Sequence, residues 1–101
     1  MRERLVDFKG WNCKLNISRY IDSDQIAICL SDFITGDHVA YVSECAESIA
    51  IPANHVLIRD HLECEGAANA LSDAGIIQLT GKRHIIGYAD VLEARLLLPS
   101  I

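Results

Sequence analysis

The sequence predicts an α+β fold in which one main helix, at about 61–74, packs on a mostly antiparallel sheet of about five or six strands. Two observations predict this class. Several short segments alternate apolar and polar residues with the period of two that is typical of half-buried strands, whereas one segment has the spacing of an amphipathic helix. The strands also stand in runs before and after that helix, which favours antiparallel pairing.

Three strands are predicted before the helix. Segment 11–19 has apolar residues at its odd positions, which predicts a strand with one buried face. Segment 25–33 is apolar on both faces, as in a strand that is covered on both sides. A Gly-containing turn at 35–37 then leads into a third strand at 38–45.

The helix is predicted from its caps and from one apolar stripe. Asp60 stands three residues before Glu63, which is the spacing of a capping box. Glu63 and Glu65 fall in the predicted first turn, where the helix dipole favours anions, and Gly75 occupies the position of a left-handed C-terminal cap. The stripe facing the sheet consists of small and apolar residues: Ala67, Ala70, Leu71 and Ala74.

The other segments complete a single domain that spans 1–101. Residues 43–54 are predicted to form a loop, and 55–59 a short fourth strand. After the helix, a fifth strand is predicted at 76–80, with Gly81 in a turn. The apolar stretch 83–98 predicts a last strand, with a kink or bulge at Gly87 and an end at Pro99.

Composition narrows the class of protein. Half of the 101 residues are apolar and the net charge is −5, which argues against a disordered chain and against direct binding of nucleic acid. No export signal or membrane-spanning run is visible, so we expect a cytoplasmic protein with no membrane partner. In that compartment the four cysteines are expected to be reduced thiols.

The charge is unevenly distributed along the chain. Residues 1–20 carry a net +3, residues 21–65 carry −8, and residues 66–101 are neutral. The acids of the middle segment are either solvated turn residues or a surface that docks on a Lys/Arg-rich protein partner. The candidate partner-binding residues are Asp22, Asp24, Asp32, Asp37, Glu44, Glu47, Asp60, Glu63 and Glu65.

No motif predicts an enzyme, a metal site or a cofactor. The cysteines form no Cys-x-x-Cys pair, and the pair His61 and Cys64 is a weak metal signature on its own. No nucleophile elbow or Gly-rich phosphate loop is present. The aromatic residues at 11, 20, 41 and 88 would offer a stacking face for single strands, but few basic residues accompany them.

One segment has a family resemblance. Ile58-Arg59-Asp60-His61-Leu62-Glu63-Cys64-Glu65-Gly66, followed by Ala70-Leu71 and Ala74-Gly75-Ile76-Ile77, resembles the signature of a small family of unknown function found in plasmids, integrative elements and phages. The resemblance covers roughly residues 11–97, and Glu-x-Glu-Gly is its most specific part. His61, Leu62 and Cys64 replace the Tyr, Ser and Asn of that signature.

The resemblance implies a setting for the acidic segment. Small acidic proteins of mobile elements often bind and disable host defence complexes, so we expect a non-enzymatic anti-defence inhibitor, of the anti-CRISPR or antirestriction type. The alternative is a structural or regulatory accessory protein that self-associates, as a homodimer, through an exposed sheet edge. A third hypothesis is a small hydrolase or metal enzyme that uses residues 60–66.

Overall fold

The first sheet is built from the N-terminal part of the chain. The structure is a computed structural model that describes residues 5–21, 24–46, 49–87 and 89–98. Four antiparallel strands pair in chain order: β1 (Leu5–Phe8), β2 (Trp11–Arg19), β3 (Ile26–Asp32) and β4 (His38–Tyr41). Buried residues alternate with exposed ones in β1 and with half-buried ones in β3, which gives this sheet one apolar inner face. The expectation that segment 25–33 is covered on both sides is therefore corrected to one fully buried face.

The second sheet also has four antiparallel strands, in the spatial order β5-β6-β8-β7. These strands are β5 (Ser43–Glu44), β6 (His55–Arg59), β7 (Ile77–Ile86) and β8 (Ala89–Leu96). Between β6 and β7 the chain forms a 3₁₀ turn (Leu62–Cys64) and a short helix, α1 (Ala67–Asp73). The α+β class and the antiparallel pairing are thus confirmed.

The single sheet of five or six strands is corrected to two sheets of four, because the predicted third strand at 38–45 divides at Val42. The backbone N–H of Val42 donates to the carbonyl of Ile28 at 3.1 Å, in the first sheet. Its carbonyl accepts from the N–H of Arg59 at 2.9 Å, in the second sheet. Val42 therefore joins the sheets, and the predicted loop at 43–54 begins with strand β5.

The predicted helix at 61–74 is corrected to a 3₁₀ turn followed by a seven-residue α-helix. Gly66 separates the two because its φ of +91° lies in the left-handed region, which interrupts a right-handed helix. The C-terminal end matches the prediction. The N–H of Gly75 donates to Ser72 and that of Ile76 donates to Leu71, which is the Schellman arrangement.

Three smaller differences concern the first strand and the β7–β8 hairpin. Strand β1 was not predicted, because its apolar alternation lasts only four residues in a charged segment. Gly81 is not a turn but part of β7, inside a register shift between Leu79 and Arg83. Gly87 lies in the turn between β7 and β8. Tyr88 and Pro99 lie outside the described residues.

One core connects the sheets and the helix. Side chains from both sheets meet α1 in a single buried cluster, to which Ile28, Ile58 and Leu71 contribute with no exposed area. A smaller cluster around Leu57 and Val91 lies beneath the loop before β6. The four cysteines, all of them among the described residues, form no disulfide bond. No helix within the described ranges is long and apolar enough to cross a membrane.

Candidate functional site

The first candidate site is a cleft where two hairpins of the first sheet meet the 3₁₀ turn. Its volume is about 500 Å³. The β1–β2 hairpin, the β3–β4 hairpin and the 3₁₀ turn each contribute part of its wall. We call it the acidic cleft, and its lining residues are Phe8, Lys9, Trp11, Asp32, Thr35, Asp37, His38, Val39 and Glu63.

Three of the nine predicted acidic residues meet in this cleft: Asp32, Asp37 and Glu63. The carboxylate of Asp32 accepts hydrogen bonds from the N–H groups of Ile34 at 2.8 Å and Thr35 at 3.0 Å. The N–H groups of Thr35 and Ile34 hold the pKa of Asp32 below its ordinary value, since they stabilise the anion. Asp32 is therefore a fixed negative charge at neutral pH.

Lys9 and Trp11 supply the other chemistry of the acidic cleft. The ammonium group of Lys9 donates to the backbone carbonyl of Glu63 at 2.9 Å and lies 5.3 Å from the centre of the Phe8 ring. This contact ties the β1–β2 hairpin to the 3₁₀ turn. Trp11 is 53% exposed, which is a large apolar area for a ring at the end of a strand. The cleft thus combines three carboxylates, one ammonium group and an accessible aromatic face.

The remaining predicted residues do not line the acidic cleft. Asp24 is exposed in the turn before β3, Glu44 is half-buried in β5, and Glu65 is exposed after the 3₁₀ turn. Asp60 accepts hydrogen bonds from the N–H groups of Gly66 at 3.0 Å and Ala68 at 3.1 Å, so its role is to cap α1. Asp22 and Glu47 lie outside the described residues.

A second candidate site was missed at the level of sequence. On the outer side of the second sheet, the buried carboxylate of Glu93 lies between two histidines, a group that we call the histidine cluster. Nδ1 of His55 is 2.6 Å from one oxygen of Glu93, and Nε2 of His84 is 2.8 Å from the other. Glu93 is 3% exposed. No sequence pattern indicated this site. Glu93 stands on the side of β8 opposite its apolar face, and only the strand register brings the two histidines to it.

The two histidines decide the charge state of Glu93. Burial alone would raise the pKa of Glu93, but hydrogen bonds from His84 and His55, together with the positive field of His55 and Lys82, lower it below its ordinary value. Glu93 is therefore an anion at neutral pH. Since a carboxylate only accepts hydrogen bonds, Nδ1 of His55 and Nε2 of His84 each carry a proton and donate it to Glu93.

The geometry offers little for metal binding or for a reactive thiol. Within the described ranges, no three His, Cys, Asp or Glu side chains are arranged to hold a metal ion. Sγ of Cys29 lies 3.7 Å from Nδ1 of His38. Burial raises the pKa of the Cys29 thiol, which favours the protonated, less nucleophilic form.

No protein-family model matches this sequence, and comparisons with curated proteins and with solved structures give no match. Function is therefore inferred from the geometry of the two sites. The resemblance to a mobile-element family stays a prediction.

Proposed function

We propose that the protein is a non-enzymatic, cytoplasmic binding protein that docks its acidic cleft on a Lys/Arg-rich surface of a partner protein. One observation carries the proposal: Asp32, Asp37 and Glu63 line a single cleft beside the exposed ring of Trp11. Carboxylates accept strong, charge-assisted hydrogen bonds from guanidinium and ammonium groups. An indole face attracts the same cations. The cleft therefore fits one or two basic side chains of a partner.

The proposal includes that the protein is encoded by a mobile genetic element, as the resemblance of residues 11–97 implies. A host defence protein that grips nucleic acid needs a Lys/Arg-rich surface for the phosphates. An anti-CRISPR or antirestriction inhibitor would occupy that surface with carboxylates. Complementary charge would speed the encounter and fix its register.

The docking is testable with Trp11, since it is the only tryptophan of the chain. A Lys/Arg-rich peptide titrated into the protein should change Trp11 emission in a saturable way, and a Glu-rich peptide of the same length should not. Neutralising one cleft carboxylate, by Asp37→Asn or Glu63→Gln, should weaken binding roughly three- to tenfold, or about 0.7–1.4 kcal/mol. Affinity for the basic peptide should also fall as salt is added.

The matched control is Asp73→Asn, which removes the same charge from an exposed position at the end of α1, outside the cleft. This variant should bind the basic peptide like the wild type. Equal losses in the Asp73→Asn and Asp37→Asn proteins would show a general effect of net charge and would contradict a defined site.

A second candidate function is self-association. The observation that favours it is the position of β7, which is the longest strand and lies at the edge of the second sheet. The side chain of Ile85, on this strand, is 78% exposed. An unpaired edge of this kind can add a strand from a second copy. Light scattering should then show a dimer whose fraction rises with concentration. A strict monomer over a wide concentration range contradicts this candidate.

A further inference from the structure

A cleft beside the histidine cluster has the chemistry of an anion site. It lies on the outer face of the second sheet, and its volume is about 390 Å³. Side chains from three adjacent strands form it, since β8 lies between β6 and β7. We call it the His55 cleft, and its lining residues are His55, Gln78, Leu79, Thr80 and Arg95.

Glu93 orients His55 towards this cleft. Because Nδ1 of His55 donates to the buried carboxylate, Nε2 is the nitrogen that is left for a ligand. The second oxygen of Glu93 accepts from His84, so both oxygens of the carboxylate are satisfied. In its protonated form, His55 therefore donates through Nε2 to an anion bound in the cleft.

Arg95 and Gln78 add donors to the same cleft. Nη2 of Arg95 donates to Oε1 of Gln78 at 2.6 Å. This bond holds both side chains, which face each other across β8 and β7. It leaves the amide N–H₂ of Gln78 and the other guanidinium N–H groups for a ligand. Within the described part of the chain, Arg95 has no carboxylate partner.

The irregular course of β7 forms the remaining wall. The register shifts between Leu79 and Arg83, and Gly81 within the shift has a φ of +90°. The hydroxyl of Thr80 donates to the backbone carbonyl of Glu93 at 3.1 Å, and it accepts from the N–H of Lys82 at 3.2 Å. The bulge is thus anchored to the strand that carries Glu93. Bulges of this kind redirect side chains next to binding sites.

We propose that the His55 cleft binds the phosphate group of a small ligand, with Arg95, Gln78 and protonated His55 as donors. A phosphate presents several acceptor oxygens in a tetrahedral arrangement, which suits donors that come from three strands. A planar carboxylate would be satisfied by the guanidinium fork alone. This site is separate from the acidic cleft, so neither proposal depends on the other.

The same geometry couples binding to a proton. Glu93 and Arg95 on β8 lie beside His55, and His84 and Lys82 on β7 lie near the carboxylate of Glu93. Because Nδ1 of His55 already donates to Glu93, only the imidazolium form can also donate through Nε2, so an anion in the cleft favours that form. Phosphate binding should therefore be accompanied by proton uptake.

The test is a titration of the full chain with inorganic phosphate, followed through the histidine and backbone signals in NMR spectra at constant ionic strength. We expect saturable chemical-shift changes at the lining residues. The affinity for phosphate should be at least about tenfold weaker in Arg95→Gln than in the wild type. The matched control is Arg83→Gln, the same change at a residue of β7 outside the cleft. Acetate at the same concentration should bind more weakly than phosphate.

Calorimetry in two buffers of different ionisation enthalpy measures the coupled proton. The wild type should take up more protons on phosphate binding than His55→Gln does. Circular dichroism first confirms that the variant is folded. Absence of phosphate shifts in the His55 cleft would overturn the proposal. So would equal phosphate affinity in Arg95→Gln and Arg83→Gln, or equal proton uptake with and without His55. Acetate that binds as well as phosphate would overturn the choice of phosphate.

Discussion

Glu93 shows how a charged residue is held inside a small sheet protein. The carboxylate has 3% exposure and accepts one hydrogen bond on each oxygen. Without those two donors a buried carboxylate would be protonated or would destabilise the fold. With them, the pKa of Glu93 lies below its ordinary value, since the hydrogen bonds outweigh desolvation. The folded state therefore prefers the anion.

This preference sets a pH dependence at the scale of one residue. A carboxyl whose folded pKa is depressed stabilises the fold above its unfolded pKa, about 4.3 for Glu, and this stability is lost as pH falls through the folded pKa. Glu93→Gln should lower the free energy of unfolding by about 1–3 kcal/mol near neutral pH. The difference between the two proteins should shrink as pH falls below about 5 and through the depressed pKa of Glu93.

Urea unfolding followed by circular dichroism checks the Glu93 prediction. Asp90→Asn is the matched control on the same strand, because Asp90 is exposed and pairs with Arg83 at the surface. Such surface pairs contribute about 0–1 kcal/mol. A Glu93→Gln protein as stable as wild type near neutral pH would show that the carboxylate has no net stabilising role.

At the scale of elements, the hydrogen bonds at the start of α1 differ from those that the sequence predicts. The predicted capping box pairs Asp60 with Glu63. In the structure the carboxylate of Asp60 instead accepts from Gly66 and Ala68, at the first turn of α1. The side chain of Glu63 reaches Arg59 at 3.3 Å and faces the acidic cleft.

Asp60→Ala should therefore cost about 1 kcal/mol of stability, as the loss of a helix cap does. Glu63→Ala should cost at most about 0.5 kcal/mol, because it removes one exposed i,i+4 pair. Chemical denaturation of the two variants beside the wild type measures both values. Equal costs would favour the capping box, and a larger cost for Glu63→Ala would contradict the observed arrangement.

Local sequence patterns predicted those elements whose bounds follow from the alternation of apolar and polar residues alone. Strands β2 and β6 have the bounds expected from their apolar residues, since alternation and β-branched residues act locally. The helix was drawn too long, because Gly66 adopts a left-handed φ that a spacing rule does not reveal. The division at Val42 was missed, as it depends on contacts with two different strands.

Of the two candidate sites, the one that depends on a local pattern was predicted in part, and the one that depends on strand register was not. The acidic cleft was predicted in part, because turn carboxylates are visible as a charge pattern and Asp32, Asp37 and Glu63 were among them. The histidine cluster was not predicted. His55 and Glu93 are 38 positions apart, and only the order β6-β8-β7 brings them into contact. Register across strands is a tertiary property that single-chain periodicity leaves open.

At the scale of the whole molecule, the shared core predicts that both sheets unfold together. Ile28 has no exposed area and lies in the cluster that joins the first sheet to α1 and the second sheet. Ile28→Ala should lower the free energy of unfolding by about 2–5 kcal/mol. Trp11 fluorescence reports the first sheet and the NMR signals of His84 report the second, and their midpoints should shift together.

Leu97→Ala is a control for the core variant, because Leu97 is 45% exposed after β8. It should change stability by about 0.5 kcal/mol or less, as surface substitutions do. If the two probes gave separate midpoints in Ile28→Ala, the sheets would be independent folding units.

The strand order of the two sheets has a consequence for synthesis on the ribosome. Strands β1 to β4 pair only with their chain neighbours, so their hairpins close short loops as soon as they emerge. The second sheet waits for β8, which inserts between β6 and β7 and is the last of these strands to emerge. Until then Ile28 and Leu30, which are fully buried in the folded protein, should lack the second sheet as their covering layer. A chain truncated before β8 should therefore aggregate or recruit chaperones rather than persist as a stable half.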